Sequence, residues 1–203
     1  MEKAKFLIGL ALLYVLAFLI VEVLSLFHPY AWTYSAVIAA VTASWPYFKL
    51  CQRYPIPGVA MLCAILLLLF NFIIGQGHEF LLIGSLILGF VAEGLRKVFG
   101  NCRKRAGVIS SYAVMSLIPF TKTCVMWIDF ETAKNIFILN RLPWYKGMWL
   151  DIHYASYGRM LSFPILLTMI IVTIAIAVIA MWILTHNWRP RSKDEMMNMM
   201  NPD

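Results

Sequence analysis

Charge is scarce in this sequence. Asp, Glu, Lys and Arg make up 13% of its 203 residues, against about a quarter in an ordinary soluble domain. With 62% of the residues hydrophobic, a soluble globular fold is excluded and an integral membrane protein is expected. The net charge of +7 does not point to a nucleic-acid partner, because the basic residues lie in short stretches between apolar runs, where they set membrane topology. Cysteine is also sparse. Cys51, Cys63, Cys102 and Cys124 form no CxxC pair and no zinc spacing, so they read as ordinary apolar-phase residues. There is no Walker A loop, which excludes transport powered by ATP bound to this chain. No HExxH or GxSxG occurs and no Ser/His/Asp set falls at one membrane depth, so the chain is not read as an enzyme. No intrinsic cofactor is expected. Lys3 and Lys5 precede an apolar run, as in a signal peptide. However, residues 6–27 are too long for a signal h-region and no small-residue cleavage site follows, so this run reads as a retained helix.

What the sequence does have is apolar runs long enough to cross a hydrocarbon layer of about 30 Å. They predict an all-α integral membrane protein with six transmembrane helices in one bundle, at residues 4–26, 33–44, 58–74, 80–99, 107–127 and 156–185. Trp45-Pro46 is expected to end the second helix, with Lys49 and Arg53 in the loop beyond it. The only long loop is 128–153. Orientation follows from Val91–Arg105, VAEGLRKVFGNCRKR, whose Arg96, Lys97, Arg103, Lys104 and Arg105 mark a cytoplasmic connection. With both termini cytoplasmic, Lys3, Lys5, Lys49, Arg53, Arg189, Arg191 and Lys193 join them inside, and only Lys134, Arg141 and Lys146 lie in outer segments. Residues 1–187 then form the membrane domain and 188–203 a polar cytoplasmic tail. The tail's MMNMMNPD lacks His and Cys and reads as disordered rather than copper-binding.

This topology gathers His28, His78 and His153 in the outer connections, with Tyr30, Trp32 and Tyr157 among the aromatics around them. Two readings stand: an interfacial aromatic belt with solvated histidines, or the mouth of a ligand cavity. Lys122 lies inside an apolar helix just after Pro119. A charge at membrane depth is costly and marks a functional site by default. Its candidate partners are Glu22, Asp129 or an anionic ligand. Arg159, near the outer start of the sixth helix, is similar, and snorkelling to the interface is the alternative for both. Glu93 is expected to pair with Arg96, Lys97 or a partner protein. The small residues Ala36, Ala39, Ala40 and Ala43 suit close backbone contact with another helix.

Three stretches carry a resemblance: Trp45-Pro46-Tyr47-Phe48-Lys49, Pro57-Gly58-Val59-Ala60-Met61, and Gly89-Phe90-Val91-Ala92-Glu93-Gly94 ahead of Gly100. With this size and topology, nearly the whole chain resembles the substrate-binding S-components of energy-coupling factor (ECF) transporters, in particular the Trep_Strep-type branch. The resemblance implies capture of a micronutrient at the outer face of a prokaryotic plasma membrane. It also implies docking on a membrane scaffold subunit driven by two cytoplasmic ATPase subunits, and inward delivery by toppling of the whole S-component. Many S-components dock through an AxxxA patch on the first helix. Here that helix has Gly9, Ala11 and Ala17 but no AxxxA, and Ala36, Ala39, Ala40 and Ala43 are the substitute docking face.

The resemblance also narrows the ligand. Nickel and cobalt S-components carry an N-terminal histidine ligand, whereas this sequence begins Met-Glu-Lys. Histidines, aromatics and a few cations at one cavity suit haem as the transported small molecule. His28, His78 or His153 would be the axial ligand to its iron, Lys122 and Arg159 would face the propionates, and Tyr30, Trp32 and Tyr157 would lie against the ring. An organic vitamin is the alternative, its carboxylate meeting the same cations. A membrane enzyme or a ligand-free structural protein is the alternative of another class. The enzyme would act without partners, and the structural protein would not co-purify with ATPases.

Overall fold

The structure is a computed structural model that describes residues 2–27, 34–55, 57–75, 77–128 and 162–188, with side chains from 8–24 in the first stretch and 77–124 in the fourth. Among these residues the chain is helical and contains no strand. The helices are α1 (Glu2–Phe27), α2 (Ser35–Thr42), α3 (Ser44–Arg53), α4 (Val59–Ile73), α5 (Glu79–Val98), α6 (Arg105–Met115), α7 (Ile118–Ile128) and α8 (Phe163–Thr185). A 3-10 turn at Asn101–Arg103 joins α5 to α6. Neighbour contacts close a ring: α1 packs on α2, α3 and α4, α4 on α5, α5 on α6 and α7, α6 on α8, and α8 back on α2 and α3.

Burial follows helical period in these segments, but polarity does not. On α1, Leu10, Tyr14, Ala17, Phe18 and Val21 face inward, while Ile8, Leu12, Leu16, Leu19, Ile20 and Val23 on the opposite side are exposed and equally apolar. A helix apolar on every face belongs in lipid. The same holds for α8, where Met169, Thr173, Ala177, Met181 and Thr185 form the inner stripe and Ile171, Val172, Ile179 and Ile183 look outward. Its 23 residues span about 35 Å. It is the one helix among the described residues long and apolar enough on its own to cross a membrane; Ile8–Leu24 and Val59–Ile73 are shorter apolar helices.

The fifth expected helix is broken in two, and a further helix follows directly on the end of the second; proline explains both breaks. Proline has no N–H to offer the carbonyl four residues back. For Pro46 that carbonyl belongs to Thr42, the last residue of α2; for Pro119 it belongs to Met115, the last residue of α6. Hydroxyls serve the breaks: Ser44 Oγ donates to Val41 O at 2.6 Å and Ser116 Oγ to Ala113 O at 2.8 Å. The helix therefore does not stop at Trp45-Pro46. It restarts with Pro46 in the first turn, where an N–H is dispensable, and carries Lys49 and Arg53 on α3 rather than in a loop. At the C-terminal end of the described residues Trp188 is buried and stands edge-on to Phe48 at 6.0 Å.

The turn after α5 is tightly constrained. Gly100 takes a left-handed conformation (φ 96°), closing the helix as only glycine does cheaply. Gly107 then passes so close to the preceding turn that a Cβ there would collide with the Asn101 carbonyl oxygen and lie 3.0 Å from that of Arg96. Backbone cannot swing aside as a side chain can. Gly107→Ala is therefore expected to destabilise the protein by about 1–3 kcal/mol, seen as a lower thermal unfolding midpoint in detergent.

Candidate functional site

The helices alternate in direction, which sorts the polar residues into two ends. One end is basic. Lys49 and Arg53 on α3, Arg96 and Lys97 on α5, and Arg103, Lys104 and Arg105 around the 3-10 turn gather there. At its centre Arg96 is fully buried and ion-paired with Glu93 one turn earlier. This pairing was among those expected from the sequence. The expectation missed what Glu93 also does: its carboxylate accepts hydrogen bonds from Gly58 N (2.8 Å) and Ala60 N (3.4 Å). The first amides of α4 lack intrahelical partners, and a carboxylate there complements the helix dipole. Gly58 takes a left-handed conformation (φ 94°) to present its N–H. Two of the stretches that carry the family resemblance, PGVAM and GFVAEG, thus meet in one joint.

The third stretch enters the core beside it. The Tyr47 hydroxyl hydrogen-bonds to Ser111, and the Tyr112 hydroxyl donates to Ala40 O at 2.9 Å and Ala39 O at 3.3 Å. This overturns one expectation. Ala36, Ala39, Ala40 and Ala43 are at most 2% exposed. Small side chains do bring the α2 backbone close to other helices, but these are the chain's own α8 and α1, while Tyr112 reaches it from α6. The face is occupied internally and is not open to a scaffold subunit.

The other end holds the candidate site. Lys122 on α7 is only 4% exposed and is ion-paired with Glu22 on α1, a link across 100 residues. Glu22 was one of the three partners the sequence left open. A cavity of about 10 Å³ adjoins the pair, room for a single water. Ser35 and Asn71 line it together with Phe18, Leu67 and Pro119. Asn71 is buried; its amide Nδ2 donates to Leu67 O at 2.8 Å, while its Oδ1 has no protein partner. A buried acceptor left open costs about 1–3 kcal/mol, so this corner is built to receive a donor.

His78 lies alongside, as the N-cap of α5. Its Nδ1 accepts from Leu81 N at 3.3 Å, and its Nε2 is 2.9 Å from Lys122 O. With Nδ1 accepting, the proton sits on Nε2, which donates to the carbonyl. Burial pulls the imidazole below its ordinary value, consistent with this neutral tautomer. Both ring nitrogens are thereby used in fixing α5 to α7, and an iron axial ligand needs one of those lone pairs free. Of the other expected site residues, His28, Tyr30, Trp32, His153, Tyr157 and Arg159 lie outside the described residues. The structure brings Lys122 and His78 together and adds Glu22, Asn71 and Ser35. No cluster of three or more His, Cys, Asp or Glu suited to a metal ion occurs among the described residues.

A family model described as a hypothetical bacterial integral membrane protein, Trep_Strep, matches residues 7–186. The chain belongs to the Trep_Strep family. It is thus a bacterial integral membrane protein, which accounts for helices that are apolar outside and hold their ion pairs inside. No curated protein and no solved structure matches it.

Proposed function

We propose that this Trep_Strep protein is the S-component of an ECF importer, a six-span protein with the basic end cytoplasmic, that captures an anionic micronutrient at the end holding Lys122. The observation that carries this reading is the Glu22–Lys122 pair. A lysine kept inside an apolar bundle beside an open acceptor is costly to maintain, and it sits opposite the end where the described cations otherwise collect. That segregation supports an outer position for Lys122 under the positive-inside rule. ATP would be used by the two separate ATPase subunits through the scaffold.

Two ligand classes fit a cationic, aromatic outer end. Haem would take His28 or His153 as its axial ligand, with Lys122 and Arg159 toward the propionates. The double engagement of His78 favours the second class, an organic micronutrient whose carboxylate meets Lys122. The test is to purify the protein from haem-replete cells and record its visible spectrum, alone and as His28→Ala, His78→Ala and His153→Ala. A Soret band lost in the His28 or His153 variant identifies haem. A colourless protein sinks haem and sends the search for the ligand to mass spectrometry. In parallel, affinity capture of the tagged chain should bring down a membrane scaffold and ATPase subunits, and their absence would overturn the S-component reading.

A further inference from the structure

The outward face of α5 changes character along its length. Ile83, Ile87 and Phe90 follow one another at helical spacing and are all exposed, as residues facing lipid are. The same face continues through Gly94 to Lys97 and Val98, which are exposed as well. A Cβ at Gly94 would meet no atom within 4 Å, so the face is notched there. Phe90, 69% exposed, stands four residues before the notch, and Val98, 77% exposed, four residues after it. The cations begin where the notch ends. Lys97 closes the stripe, Arg103, Lys104 and Arg105 follow in the turn into α6, and all four are exposed. Gly100 N donates to Lys97 O at 3.3 Å, and the aliphatic stem of Lys104 lies across Gly100, its Cδ 2.6 Å from where a Cβ would stand. The turn is thereby folded back onto the end of α5, with Lys104 drawn toward Lys97. Among the described residues none of the four cations is ion-paired. Glu93, one turn before Lys97, is taken up by Arg96, Gly58 and Ala60.

We propose that this end of α5 is a binding site for an anionic phospholipid. An acyl chain lies along Phe90, Gly94 and Val98, and the phosphate faces Lys97 and Lys104 with Arg103 and Arg105 beside them. Two features select this occupant. Four cations of one sign are held together without a carboxylate, and a phosphate answers them with charge-assisted hydrogen bonds. The apolar stripe also runs without interruption into the cationic patch, so a ligand that uses both must be amphiphilic. A free anion would leave Phe90 and Val98 untouched. The stripe is continuous with the lipid-facing surface of the helix, so a tail enters the notch from the bilayer without any opening of the fold. Lys and Arg clustered at the membrane end of a helix attract anionic lipid by about fivefold per cation. The site requires only that α5 is embedded in a bilayer, and so stands apart from the transport role proposed above.

The experiment is native mass spectrometry of the full chain in detergent, given equal amounts of phosphatidylglycerol and phosphatidylcholine with identical acyl chains. Phosphatidylglycerol should be retained in preference. Lys97→Gln and Lys104→Gln should each lower its adduct about fivefold and leave phosphatidylcholine unchanged. Gly94→Leu fills the notch without altering charge and should weaken both lipids alike. All three positions are exposed, so the unfolding midpoints of the variants should match the wild type. Glycerol phosphate, a headgroup without tails, should not displace phosphatidylglycerol at the same concentration. Equal retention of the two lipids, or full retention of phosphatidylglycerol in the combined Lys97→Gln and Lys104→Gln variant, would overturn the proposal and leave the cations as a topological signal or a seat for an acidic protein. Displacement by glycerol phosphate would overturn it in favour of a plain anion site, and unchanged lipid retention in Gly94→Leu would remove the tail from the notch and the proposal with it.

Discussion

Glu93→Ala is expected to lower the unfolding free energy by about 3–5 kcal/mol, the usual cost of removing one partner of a buried ion pair. Arg96 would keep its charge with no exposed surface, and the first turn of α4 would lose the carboxylate that accepts from Gly58 and Ala60. The reciprocal Arg96→Met should cost less. The Glu93 side chain is 10% exposed and can take up a proton, and a neutral carboxylic acid still accepts from the α4 amides. Joining the two as Glu93→Gln with Arg96→Met should recover part of the Glu93→Ala loss, because neither residue is then left charged. Chemical unfolding of the purified variants in mixed micelles measures this. A Glu93→Ala loss below about 1 kcal/mol would mean the joint is no stronger than a surface pair.

How much of this could be read from the sequence depended on the distance over which each feature acts. The expected helices at 4–26, 58–74 and 80–99 lie within two residues of Glu2–Phe27, Val59–Ile73 and Glu79–Val98, because a hydrophobic run declares itself locally. Pro46 and Pro119 each disable a carbonyl four residues back, yet only the stop at Trp45-Pro46 was expected; 107–127 was read as one helix and its break after Met115 was missed. Reading Trp45-Pro46 as a terminus overlooked that proline also starts helices. Lys122 could be found as a charge in an apolar run, but its partner could not be chosen: Glu22 is 100 residues away and Asp129 only seven. The joint between Glu93 and Gly58 spans 35 residues and has no periodicity to betray it. The alanine face of α2 was read correctly as a close-contact surface, but small side chains record only that a backbone approaches, not whose. That Asn71 lines the same cavity as Ser35 and Lys122 emerges only from the packing.

Lys122→Met and Glu22→Gln are expected to move ligand capture in opposite directions, and this separates a binding site from a structural tie. If Lys122 meets the carboxylate of the micronutrient, Glu22 is the group that carboxylate displaces, an internal competitor that keeps the lysine neutralised while the site is empty. Removing the cation should then weaken capture by roughly 30-fold, about 2 kcal/mol, the lower range for truncating one partner of a buried charge pair. Removing the competitor leaves Lys122 buried at 4% exposure with its charge unanswered, so Glu22→Gln should lose stability when empty and hold the anionic ligand more tightly. The measurement is the amount of ligand that stays with each purified variant, quantified by mass spectrometry against protein, with the unfolding midpoint recorded with and without added ligand extract. If the pair only ties α1 to α7, both substitutions should lower the midpoint alike and change retained ligand in the same direction, and the capture site would have to lie elsewhere at that end. Opposite signs, with the Glu22→Gln midpoint restored on adding the extract, would place the anion on Lys122.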